Sequence, residues 1–221
     1  MPECADKPER VPHENRRLVA RALVRTLVPL VLLSSLTASA HAARLLAGGL
    51  EFSDEEGGLV LRDAWGAGTP EDPITLVEDI TEEGPAVLTV RGMRASFGNR
   101  VAPGHGVGFV LVKIVTNRTN RPWHSFEMEV RELKGRASPF EDGLSFGQAI
   151  GAARLFGSDR FDSVQVTDEP LDAVVFSGSV IRPGESVTVR VMVTDFSPTW
   201  QFYILQRRDA PLAGHTAPPW P

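Results

Sequence analysis

The chain has 221 residues, 42% of them apolar, with a formal net charge of −5. That length suits one domain with an extension, and the apolar share is enough for a packed core. An acidic balance with no basic stripe excludes nucleic acid as an expected partner, and the single cysteine, Cys4, excludes a disulfide framework.

Residues 1–42 read as a secretory signal peptide. Arg16, Arg17, Arg21 and Arg25 form a basic region, residues 27–36 (LVPLVLLSSL) an apolar one, and Ala40-His41-Ala42 an A-x-A cleavage signal. The apolar run is half the roughly twenty residues that a bilayer-spanning helix needs. Arg16-Arg17 suggests the twin-arginine route, but the Leu-Val-Ala that follows fits it poorly, so the Sec route is expected. Cleavage leaves a chain from Ala43 with 17 Lys and Arg against 24 Asp and Glu. It lacks cysteine, so its core alone must hold it together. No later apolar segment follows, so the mature chain is expected to be periplasmic or extracellular, without a membrane span.

After Ala43, residues 45–52 and 59–63 are short candidate strands. Residues 65–73 form a Gly- and Pro-rich loop, and Ile74–Ile80 and Ala86–Arg91 read as two further strands. Eleven acidic residues and one basic residue, Arg62, lie between Glu51 and Glu83. This stretch reads as a solvated acidic face or, alternatively, as a calcium site lacking the usual loop spacing.

The run FVLVKIV at 109–115 is apolar on both parities except at Lys113, the pattern of a strand inside a sheet. A polar Asn/Thr/Pro segment at 116–122 reads as a solvated turn, making 106–133 a hairpin. In its second strand Phe126, Met128 and Val130 share the core parity, and the glutamates between them face water. Asn117-Arg118-Thr119 also fits the N-glycosylation acceptor pattern, although turn chemistry explains the same residues.

Residues 134–162 are rich in Gly, Ser and Asp, with one short helix possible around 148–156, the kind of connection that carries binding residues. Strands resume at Ser163–Thr167, Ala173–Ile181, Ser186–Asp195 and 200–206, with Arg182-Pro183-Gly184-Glu185 as a hairpin-type turn. The alternating Val187, Val189, Val191 and Val193 predict one buried and one largely wet face. Residues 208–221 are a Pro-rich tail.

These elements predict an all-β fold: an antiparallel β-sandwich spanning 43–207, immunoglobulin-like or jelly-roll-like. The segments IRPGESVTVRVMVTD and VTNRTNRPWHSFEMEV resemble strands of secreted bacterial β-sandwich (immunoglobulin-like) proteins. That resemblance covers about a third of the chain and implies the fold and export, but no catalytic residue.

Gly143-Leu144-Ser145-Phe146-Gly147 matches G-x-S-x-G, the nucleophile elbow of serine hydrolases, with Asp195 and His215 in the required chain order. The turn-like sequence before Ser145 and the lack of alternating strands and helices argue instead for a surface loop. His105, His124 and His215, the histidines after Ala43, are too few and too scattered for a transition-metal site. No cofactor is expected. Trp123, His124, Phe146 and Trp200 are the candidate ligand-binding residues, and with Trp65 the aromatics suit a platform for sugar rings. The expected function is a non-catalytic exported binding or structural module for a protein or polysaccharide. The alternatives are a Ser145 hydrolase or a calcium- or carbohydrate-binding adhesion module.

Overall fold

The computed structural model describes residues 42–101, 106–147, 156–167 and 170–209. Alternation of branched apolar and polar residues makes them strands: β1 (Arg44–Ala47), β2 (Leu50–Ser53), β3 (Leu59–Trp65), β4 (Ile74–Ile80), β5 (Ala86–Arg91), β6 (Val107–Asn117), β7 (Trp123–Arg131), β8 (Leu144–Ser145), β9 (Gly157–Ser158), β10 (Ser163–Thr167), β11 (Ala173–Ile181), β12 (Ser186–Asp195) and β13 (Gln201–Arg208). Among the described residues the helical content is two single 3-10 turns, Ala95–Phe97 and Phe140–Asp142, and no helix is long and apolar enough to cross a membrane. The signal segment through His41, the helical turn expected at 148–156 except for its last residue, Phe156, and the tail from Ala210 lie outside the described residues.

Two sheets face each other. One has the order β1-β2-β5-β13-β7-β11-β10, the other β3-β4-β6-β12-β8, with β9 also on β12. Pairing is antiparallel except for β4 and β6, which run parallel from Ile74↔Leu111 to Ile80↔Asn117. The exception follows from topology: β5 lies in the other sheet, so the chain crosses over and returns in the same direction. Between the sheets lie Phe109, Leu111 and Val115 of β6, Val187, Val189, Val191 and Val193 of β12, Phe126, Met128 and Val130 of β7, and Phe202 and Ile204 of β13, all fully buried. Each large side chain there contributes on the order of 2 kcal/mol by leaving water.

Four local expectations are corrected. Residues 45–52 are two strands joined at Gly48-Gly49; both glycines have positive φ, 57° and 82°, as a tight antiparallel turn requires. The 116–122 and 182–185 segments do not close hairpins: β6 and β12 pair with each other in one sheet, β7 and β11 in the other. Both connections are therefore arches across the sandwich edge. Glu127 and Glu129 lie on the outer face of β7 as their parity demands, yet both are buried rather than wet. The Arg131 guanidinium reaches Glu129 at 2.5 and 3.0 Å, and Arg207 bridges Glu129 at 2.7 Å and Glu127. The outer face of β12 is also wet over only half its length, since Met192 and Thr194 are buried. Met192 packs on the Gly147 backbone, and Thr194 Oγ1 lies 3.2 Å from Ser145 Oγ.

Candidate functional site

One end of the sandwich gathers the side chains with chemistry to offer. There β7 runs out into Glu132-Leu133-Lys134, and β12 ends at Asp195 before the loop that enters β13. The Asp195 carboxylate accepts the Ser197 N–H at 2.8 Å, and Thr199 Oγ1 donates to the Gln201 carbonyl at 3.0 Å, which sets the path of that loop. Gly92 N–H donates to the Trp200 carbonyl at 2.8 Å, and the Arg94 guanidinium lies 4.1 Å over the Trp200 ring. Between these segments is a surface hollow of about 310 Å³ lined by Glu132, Leu133, Lys134, Thr199, Gln201 and Tyr203.

The polar wall of the hollow is held in place. Arg91 Nε donates to Gln201 Oε1 at 2.7 Å, and Gln201 Nε2 donates to the Tyr203 hydroxyl. Lys134 pairs with Glu56, which raises the pKa of its ammonium. Leu133, Phe196 and Trp200 are 59%, 47% and 52% exposed, so this end presents apolar surface next to fixed hydrogen-bonding groups.

Three carboxylates come together from distant positions. Burial pushes Asp195 up to about 7; the charges of Glu132 and Asp142 add to the shift, and the N–H groups of Ser197 and Thr199 oppose it. Glu132 is raised by burial and then by Asp142, with Arg136 opposing. Folded Asp195 thus holds a proton between pH 4 and 7 that the unfolded chain releases, so stability falls as pH rises through that interval. Asp195→Asn is expected to match the parent near pH 4 and to be more stable by about 1–2 kcal/mol at pH 8, after discounting for solvent at the rim. Urea unfolding of both proteins across pH 4–8 checks this, and parallel curves would refute it.

The residues singled out in the sequence do not form one site. Trp123 is 1% exposed; its ring stacks on Phe126 at 6.1 Å and its Nε1–H donates to Thr119 Oγ1 at 3.2 Å. His124 is exposed beside Asp209, whose carboxylate accepts its backbone N–H at 2.6 Å. Both stand at the start of β7, whereas β13 pairs Tyr203 with Arg131 at the other end of that strand. This puts Trp200 roughly 25 Å away at about 3.3 Å per residue. Phe146 is in the core at 1% exposure, and Trp65 is 47% exposed at the end of edge strand β3. Of the four candidates, Trp200 lies in the chain between two residues that line the hollow, Thr199 and Gln201, and its ring is not part of the lining. Glu132, Asp142, Gln201 and Tyr203 carry no spacing signal that would have found them.

Ser145 is fully buried in β8, which pairs antiparallel with β12. A nucleophile elbow exposes its serine at a strand-to-helix turn, and Ser145 has no such exposure. His215 lies outside the described residues. Five carboxylates of the acidic stretch 51–83 are engaged in ion pairs: Glu51 and Glu55 with Arg91, Glu56 with Lys134, Glu78 with Lys113, and Asp79 with Arg62 and Arg118. Among the described residues no group of three or more His, Cys, Asp or Glu is placed to hold a metal ion. Comparison of the chain with protein-family models, with curated proteins and with solved structures found no match.

Proposed function

We propose that the chain is an exported β-sandwich binding module that acts without catalysis, and that the hollow at the Trp200 end takes part of a polysaccharide. The observation carrying this reading is a concavity that sets the exposed Leu133 beside the fixed Gln201–Tyr203 pair, with half-exposed Trp200 next to Gln201 in the chain. Sugar rings offer an apolar C–H face and a rim of hydroxyls, which aromatic surface and rigid amide and phenol groups match together. Export is supported by the basic, apolar and A-x-A segments before Ala43 and by the first strand starting at Arg44. The resemblance of 181–195 and 115–130 to secreted bacterial immunoglobulin-like proteins agrees with the same reading.

Titration of the purified protein with neutral and acidic soluble polysaccharides, followed by tryptophan fluorescence and calorimetry, tests the assignment. Trp200→Ala is expected to weaken binding at least tenfold while leaving the melting temperature within a few degrees, since the ring is half exposed. Equal affinity for the variant would remove the hollow as the site.

A further inference from the structure

The backbone N–H of Ala43 donates to Asp54 Oδ1 at 2.7 Å, while the other oxygen of that carboxylate accepts the Leu61 N–H at 3.0 Å. Asp54 N–H in turn reaches the Ala43 carbonyl at 3.4 Å, and the Ala43 side chain packs against the core. Ala42, one residue earlier, is exposed. The fold therefore grips the chain from Ala43 onward, at the residue that follows the A-x-A signal.

The neighbouring acids already have cations: Glu55 pairs with Arg44 and Arg91, and Glu51 with Arg91. Asp54, half-buried among them, receives backbone N–H groups and, among the described residues, no cation. A carboxylate in that position lacks the partner that would offset its desolvation.

We propose that processing supplies that partner: Ala43 is the first residue of the mature chain, and its α-ammonium is held by the Asp54 carboxylate. The inference rests on the export reading. Hydrolysis of the Ala42–Ala43 amide by a leader peptidase consumes one water. It leaves a carboxylate on Ala42, which departs with the leader, and a protonated amine on Ala43. A neutral hydrogen bond becomes a charge-assisted one without movement of the chain, so the cut itself tightens the β1–β2 hairpin and its tie to β3 through Leu61. The charged groups around the amine are Asp54 and Glu55 from the β2–β3 turn, Arg44 of β1, and Arg91 of β5 with its partner Glu51. Among the described residues, Asp54 is the carboxylate within hydrogen-bond distance of the Ala43 nitrogen.

N-terminal sequencing of the exported protein and a comparison of two chains test this. One chain starts at Ala43 and the other at Ala42, which moves the ammonium one residue outward; the core lies wholly within residues both contain. At pH 6–7 the Ala43 chain is expected to melt about 3–6 °C higher. A carboxylate partner raises the amine's pKa above its usual range of about 8, so the gap persists below that pH and closes as pH rises through the folded value. Asp54→Asn, or acetylation of Ala43 where that variant folds poorly, is expected to abolish the gap. An exported protein starting elsewhere would overturn the processing step. One starting at Ala43 but melting identically to the extended chain at every pH would overturn the ion pair alone.

Discussion

Lys113→Met is expected to cost about 3–5 kcal/mol of folding free energy, and the double replacement Lys113→Met with Glu78→Leu to recover most of it. Lys113 lies on the core parity of β6, with Leu111 and Val115 on either side, and its Nζ is 2.9 Å from Glu78 Oε1; both side chains are fully buried. Among the described residues, neither the ammonium nor the carboxylate has a hydrogen-bond partner beyond the other. Burial pushes the lysine pKa down and Glu78 pushes it back up, so each charge depends on the other for its place in the interior. Removing one partner strands a buried charge, which is why a single replacement is severe. Removing both exchanges a poorly solvated pair for apolar volume between two sheets. Urea unfolding of the parent, Lys113→Met, Glu78→Leu and the double variant measures the coupling. A double variant as unstable as the sum of the singles would show that packing, rather than charge pairing, sets the cost.

Lys113 also shows where reading the sequence stops. Strand positions were legible because period-two alternation of valine, isoleucine and phenylalanine is a backbone property: Ile74–Ile80, Ala86–Arg91, Ser163–Thr167, Ala173–Ile181 and Ser186–Asp195 appear with the expected bounds. Alternation fixes which side chains share a face, not what covers that face. Glu127 and Glu129 fall on the outer parity as read, yet the cover over them is Arg207, 80 residues away from Glu127. Likewise, the Asn, Pro and Gly of the 116–122 and 182–185 segments suit a hairpin and an arch equally well, because both are tight and polar. The carboxylate group beside the hollow was the least legible feature. Asp142 comes near Asp195 because β8 pairs Leu144 with Asp195, Glu132 follows the end of β7, and none of their spacings is one that a local motif would impose.

Asn117→Asp is expected to destabilise the sandwich by about 3–4 kcal/mol although the side chain changes by one group. Asn117 closes β6 at full burial, and its amide meets all of its hydrogen-bonding capacity within the protein. Oδ1 accepts the Thr119 N–H at 2.9 Å and the Thr119 hydroxyl at 2.7 Å, while Nδ2 donates to the carbonyls of Arg121 at 2.8 Å and Ile181 at 3.1 Å. Its backbone adds two bonds to the second arch, donating to the Glu185 carbonyl at 2.9 Å and accepting the Gly184 N–H at 2.7 Å. One residue thus pins the two arches to each other, and Thr119 extends the link to the Trp123 indole. A carboxylate would face two carbonyl oxygens with no proton to give, and leaving such acceptors unpaired in the interior costs about 1–3 kcal/mol each. The same geometry leaves no N–H free to carry a glycan on the folded chain, so the acceptor pattern at 117–119 is accounted for by the arch. Asn117→Ala tests the argument from the other side. It abandons the same two carbonyls without adding charge, and is expected to lose about 2–3 kcal/mol in urea unfolding; a loss below 0.5 kcal/mol in both variants would mean that the arches are held by packing alone.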